Sequence, residues 1–143
     1  MKDLIITWPK KRKLDSYVEE LAKAADCGKV ISFRVPTVPK IKCERCYVVH
    51  DGRVRGWTRV LKEEHRGEGE VQDPITGMYW PAGNYIIRMP KWHPLTAGPW
   101  MKGFQGFRYI DRLCKVCEGN KTIWVSWESR PVQCGHCHGT GIA

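Results

Sequence analysis

Cys46-Tyr-Val-Val-His-Asp-Gly-Arg-Val-Arg-Gly-Trp-Thr-Arg-Val-Leu61 is the stretch from which the fold is read. Two runs rich in β-branched and aromatic residues flank Asp51-Gly52, a pair suited to a two-residue type I′ turn because both central positions need positive φ. A β-hairpin is the expectation. By the two-residue period of a strand, Arg53, Arg55, Trp57, Arg59 and Leu61 share one face of the second arm, and Val54, Gly56, Thr58 and Val60 share the other. The first face is cationic with an aromatic ring at its centre, a combination that suits phosphate and base contacts; the plainer reading packs it on another strand.

Working outward, Met1 to Trp8 reads as a short strand. Ser16-Tyr-Val-Glu19 fits a capping box opening a helix whose buried face is Val18, Leu21, Ala22 and Ala25, with Gly28 as its stop. Val30 to Val35 is a strand ended by Pro36, and Pro39 prolongs an extended connection. Lys62 to Gly83 lacks periodicity and reads as a long loop. Asn84 to Met89 and Phe104 to Ile110 read as strands, the latter with a bulge at Gly106. Between them lies a loop carrying Trp92 and Trp100, which with Trp80 are loop aromatics suited to base stacking.

The C-terminal stretch carries a different signal. Cys114-Lys-Val-Cys117 and Cys134-Gly-His-Cys137 are C-x-x-C pairs, 16 residues apart, the spacing of four-thiolate zinc sites. Two knuckles of this kind complete a tetrahedral shell with no open position, so one structural zinc ion is expected. Lys121 to Trp127 alternates as one arm of the hairpin between them, and His136 and His138 should face solvent. Cys43-Glu-Arg-Cys46 is a third C-x-x-C. On an extended strand its two thiols point to opposite faces, which favours two strand-entry cysteines over a second metal site completed by Cys27, His50 or His93.

Two resemblances follow. Cys134-Gly-His-Cys-His-Gly-Thr-Gly141 resembles the C-x-x-C-x-G-x-G repeat of the DnaJ cysteine-rich domain, and Cys114 to Gly119 matches it until Lys121 replaces the last glycine. The resemblance implies half of such a domain. His93-Pro94 is followed by Leu95, so the co-chaperone signature is missing. From about Val30 to Arg108 the order of elements is similar to a PUA-like barrel of the ASCH kind. That resemblance implies an α+β protein: a small antiparallel barrel (residues 1–111) with one N-terminal helix, followed by a zinc-ribbon-like hairpin (residues 112–143). It also implies nucleic-acid or modified-base recognition. The amidohydrolases of that family carry G-x-K-x-x-E-x-R, whereas Pro39-Lys40-Ile-Lys42-Cys-Glu44-Arg45 lacks the glycine and the spacing.

Composition agrees with a polyanion partner. The 143 residues hold 24 Lys and Arg against 15 Asp and Glu, a net charge of +9, and such a field attracts nucleic acid. The Lys10-Lys-Arg-Lys13 cluster adds to it. No apolar run is long enough for a membrane span, and seven cysteines, six of them in C-x-x-C pairs, point to a reducing, cytoplasmic compartment. The sequence therefore reads as a nucleic-acid-binding protein, with RNA or DNA held by Arg53, Arg55, Trp57 and Arg59 on one wall and Trp92 and Trp100 on the other. An enzyme acting on modified nucleotides is the first alternative. It would draw its acid-base groups from His50, His65, His93, Glu44, Glu63, Glu64 and Asp111. A zinc-stiffened protein-interaction or inhibitor module is the second.

Overall fold

The Asp51-Gly52 turn forms with φ of 48° and 76°, both positive as a type I′ turn requires. It joins β3 (Arg45–His50) to β4 (Arg53–Arg66). The computed structural model describes residues 1–67, 78–79, 81–96, 98–124, 127 and 130–143. The remaining elements are β1 (Lys2–Thr7), α1 (Leu14–Asp26), β2 (Ile31–Val35), β5 (Gly83–Arg88), β6 (His93–Pro94), β7 (Phe107–Asp111), β8 (Thr122–Ile123) and β9 (Val132–Gln133). Half of the expected 62–83 loop, Trp80 included, falls outside the described residues, as do residues 125 and 126 of the expected 121–127 arm.

The class is α+β with one helix, and the sheet is mixed and open rather than an antiparallel barrel. Its order is β2-β5-β4-β3-β1-β7, with β6 also pairing β4. β1 runs parallel to β3 and antiparallel to β7. The two end strands share no ladder among the described residues. Pro36 ends β2 and has no amide to donate. The chain beyond it reaches β7 through side chains instead: the amides of Lys40 and Ile41 donate to the Tyr109 hydroxyl at 2.8 and 3.2 Å.

β4 is longer than its apolar pattern suggested, because residues 62–66 pair with β5. They are charged, yet Tyr85, Ile86 and Ile87 of β5 supply the buried side chains there. Two register shifts, at Arg55 and at Leu61, bend β4 so that its first half lies between β3 and β6 and its second half joins β5.

Both faces of β1 and β3 are covered, which explains the unbroken Leu4-Ile5-Ile6 run. On one face α1 packs Tyr17, Leu21 and Ala24 against Leu4, Ile6, Cys46 and Val48. On the other, Ile5, Tyr47, Val49, Val54 and Leu113 meet Leu95, Met101 and Phe104. The helix differs from expectation at its start. It begins two residues before Ser16, Lys13 holds the cap position with no side-chain bond, and the buried stripe is Tyr17-Leu21-Ala24. Leu14 packs on the core and draws the first turn outward. The stop is as read: Lys29 N donates to Ala24 O and Gly28 N to Ala25 O around Gly28 at φ 65°, a Schellman ending.

Two arginines fix the interior. Arg88 is buried between the Tyr17 hydroxyl at 2.7 Å and the Thr58 hydroxyl at 3.0 Å. Arg112 leaves the end of β7 and grips Asp3 of β1 with Nε at 2.9 Å and Nη2 at 3.1 Å. Asp3 is fully buried and also accepts the Arg45 amide at 3.1 Å. Glu44 meets the same guanidinium from a largely exposed position. Removing one partner of a buried pair strands the other charge, so Arg112→Ala should cost roughly 3–5 kcal/mol. Glu44→Ala should cost under about 1 kcal/mol, the worth of a surface pair. Urea melts of the two variants check this ordering.

Candidate metal centre and adjoining groove

The chain leaves β7 through Arg112 and Leu113 directly into the first cysteine knuckle. Cys114, Cys117, Cys134 and Cys137 are all buried, and their sulfurs lie within 4.8 Å of one another. Cys114 and Cys134 are 4.0 Å apart and Cys117 and Cys137 3.7 Å. A tetrahedral zinc with bonds of 2.3 Å sets its sulfurs about 3.8 Å apart, so these two pairs already stand near the spacing that such a metal takes. The sulfurs perturb one another. Against the burial that raises it, the amides of Gly141 and Gly139 and the neighbouring sulfurs bring Cys137 down to about 6. Burial dominates at Cys117 and lifts it to about 11. The Gly141 amide lies 3.3 Å from the Cys137 sulfur, a contact that favours thiolate.

The knuckles repeat each other at an offset of twenty residues. Glu118, Gly119 and Lys121 have φ of 54°, 90° and 70°, and His138, Gly139 and Gly141 have 54°, 77° and 75°. Cys114 N donates to Gly141 O and Cys134 N to Lys121 O, so each knuckle is tied to the end of the other. Asn120 and Thr140 side chains bond the Cys117 and Cys137 carbonyls in the same way. β8 and β9 form the short ladder between the knuckles, and Ile123 packs on the sulfurs. His136 and His138 are exposed, as expected. Lys121, the departure from the glycine pattern, occupies the left-handed conformation all the same.

Cys43 and Cys46 take no part. Cys43 precedes β3, so strand alternation does not separate the two thiols, and both enter the core beneath α1. Burial raises each to about 11, as suits inert packing thiols. Cys27 is exposed at the end of α1. Among the described residues the only cluster able to hold a metal is the C-terminal four.

The predicted cationic wall is divided. The shift at Arg55 pairs Val54 with Val49 and Gly56 with Val48, so Val54 turns to the face of Trp57. Arg53, opposite His50, falls out of phase with Trp57 and Arg59. Trp57 is half-buried and stacks on His93 at 3.9 Å and 6°, with the Arg45 guanidinium 4.1 Å from its ring centre. His93 comes from β6 and Arg45 from β3, strands on opposite sides of β4, so the indole is flanked on both sides. Arg55 donates from Nε to His50 O at 2.9 Å. Trp92 packs on the helix-side core, edge-on to Tyr17 at 5.7 Å, over the bare Cα of Gly56. Arg59 remains exposed.

Of the predicted aromatics among the described residues, Trp100 alone stands in solvent, 73% exposed, with the Arg53 guanidinium 4.3 Å from its ring centre. Beside this pair opens a groove of about 560 Å³, walled on its far side by the first knuckle and by Trp124 of the hairpin. Trp124 is 70% exposed and Trp127 80%. Neither was singled out from sequence, although Trp124 points away from Ile123, which covers the sulfurs, and that alternation was the available signal.

Of the acid-base candidates, Glu44 and Glu63 line one cavity with Lys42 and Arg59, and the others do not join them. His50 contacts Arg12 O, His65 contacts Asn84, Asp111 pairs with Lys2, and Glu64 pairs with Arg66. Burial pushes the Glu63 carboxyl up, and burial with Lys91 and Arg45 nearby pushes His93 down. Glu44 is engaged by Arg112, and Lys40 is exposed. No helix among the described residues is long and apolar enough to cross a membrane. No family model, curated protein or solved structure matches the chain.

The two knuckles generate a test. A left-handed conformation costs a non-glycine residue about 1–2 kcal/mol, and glycine returns about 0.5–1 kcal/mol of that as chain entropy. Lys121→Gly should therefore stabilise the metal-loaded module slightly. At the equivalent place, a Cβ on Gly141 would sit 2.7 Å from Gly119 O, so Gly141→Ala should loosen it. Chelator competition should rank the three proteins in that order, Lys121→Gly holding the metal longest.

Proposed function

We propose that this chain is a nucleic-acid-binding protein whose C-terminal hairpin is stiffened by one structural zinc ion. The observation that carries the reading is the Arg53 guanidinium lying on the mostly exposed ring of Trp100, at the mouth of an open groove, in a chain of net charge +9. An exposed indole offers a face on which a base stacks, and a guanidinium beside it neutralises phosphate and adds cation–π attraction. Arg59 and the exposed Lys10–Lys13 cluster extend the positive field, while Trp57 and Trp92 hold the scaffold. Zinc is favoured because four thiolates in a closed tetrahedral set suit it and leave no site for substrate. The PUA-like resemblance is compatible with this reading and is not needed for it. A second reading, a zinc-stiffened protein-interaction module, draws on the exposure of Trp124 and Trp127.

Two measurements test the proposal. Elemental analysis should give one zinc per chain, and Ser at any of the four ligands should release it and loosen the hairpin, because a structural metal contributes folding free energy directly. The protein purified at low salt should carry nucleic acid, seen as excess absorbance at 260 nm. Its affinity should fall with salt, and Arg53→Ala should flatten the slope of log affinity on log salt by about 0.7–0.9, one phosphate's share. A clean, salt-insensitive protein that captures other proteins through Trp124 and Trp127 would favour the second reading.

A further inference from the structure

We infer that the groove between the start of β4 and the first cysteine knuckle seats an unpaired base, which makes the ligand single-stranded nucleic acid; this rests on the nucleic-acid reading above. The groove is lined by Arg53, Thr96, Glu118, Asn120, Thr122 and Trp124, among others. Its polar groups are mostly uncharged or acidic, although the chain as a whole is strongly basic. Glu118 is held there by the knuckle, which sets its φ at 54°, and one of its carboxylate oxygens accepts the Thr96 amide at 3.0 Å. A carboxylate fixed in a groove repels phosphate, so the backbone of a polyanion does not run along the floor. The hydroxyls of Thr96 and Thr122 are instead groups that hydrogen-bond base edges, and a carboxylate accepts from exocyclic amino groups.

The cations and the aromatic faces stand at the rim. Arg53 lies on Trp100 at one lip, Trp124 forms the other, and Lys115 and Lys121 are exposed on the knuckle behind it. Phosphates at the rim and a base turned inward is an arrangement that a single strand adopts freely. In a duplex the bases are stacked and paired inside a convex envelope of phosphates, and reading them requires a protruding helix or ribbon. This surface is concave, and among the described residues no helix lines it. Two largely exposed indoles are also the stacking platforms by which single strands are held with little sequence preference.

The test is fluorescence anisotropy with a labelled 12-nucleotide single strand, as DNA and as RNA, against the duplex of the same sequence at one salt concentration. The expected result is at least tenfold tighter binding of a single strand, and the two single-strand arms identify which sugar is preferred. Trp124→Ala should weaken single-strand binding roughly 5- to 150-fold, the range for losing one stacked base, with the salt slope, zinc content and melting temperature unchanged. Trp127→Ala removes an indole that does not line the groove and should change affinity less than about twofold. Equal or tighter duplex binding, or a silent Trp124→Ala, overturns the inference and leaves nucleic-acid binding standing. Absence of binding to all three probes overturns both.

Discussion

The Asp3 carboxylate is fully buried, and the architecture depends on how that charge is met. Burying a carboxylate is costly unless it is paired and hydrogen-bonded. Here β3 supplies the Arg45 amide and the end of β7 supplies the Arg112 guanidinium. β1 lies between those two strands, and Asp3 is the point at which both neighbours contact it other than through the ladder. One residue beyond Arg112 stands Leu113, which enters the second core cluster, and then Cys114. The backbone adds two more ties, Arg112 N to Met1 O and Ala143 N to Arg112 O. A single charge thus fixes the place where the sheet stops and the cysteine module begins.

The parts of this design legible in the sequence are those set by local chemistry. Asp51-Gly52 dictates a turn through its own φ preferences, and the C-x-x-C pairs announce a metal through spacing alone. Gly28 ends a helix because only glycine sits comfortably at its φ. What could not be read was set by neighbours. Arg55 bulges because β4 must leave β3 and meet β5, and nothing in Arg53-Val-Arg-Gly-Trp57 marks that need. Residues 62–66 are a strand because β5 buries its own apolar residues beside them. Ser16 and Glu19 have the right spacing for a box, yet packing of Leu14 starts the helix earlier. The parallel placement of β1 beside β3, which replaces the barrel by an open mixed sheet, is likewise a long-range choice with no local mark.

The tryptophans follow the same division. Trp57 and Trp92 sit beside Gly56, whose missing side chain admits the Trp92 ring, and their surroundings close over them. Trp100 follows Pro99, whose carbonyl is taken by Val54 N, and packs on Gly52 and Arg53. Trp124 alternates with Ile123, and because Ile123 must cover the sulfurs, Trp124 is turned out. Its exposure is a by-product of building a metal site from a two-residue ladder. Trp100 and Trp124 therefore lie where the sheet's rim and the cysteine module face each other.

That placement couples the metal to the groove in the proposed reading. One lip, Arg53 on Trp100, belongs to the sheet and stands on the Asp51-Gly52 turn. The other, Val116 to Trp124, belongs to a segment with a two-residue ladder of its own among the described residues, and four cysteine sulfurs converge beneath it. Gly119 packs its Cα against Leu113 and Pro99, so the first knuckle is also the surface by which the module rests on the sheet. Releasing the metal removes one lip and leaves the other intact. Because linkage is reciprocal, a strand held across both lips must in turn raise the affinity of the four cysteines for their ion.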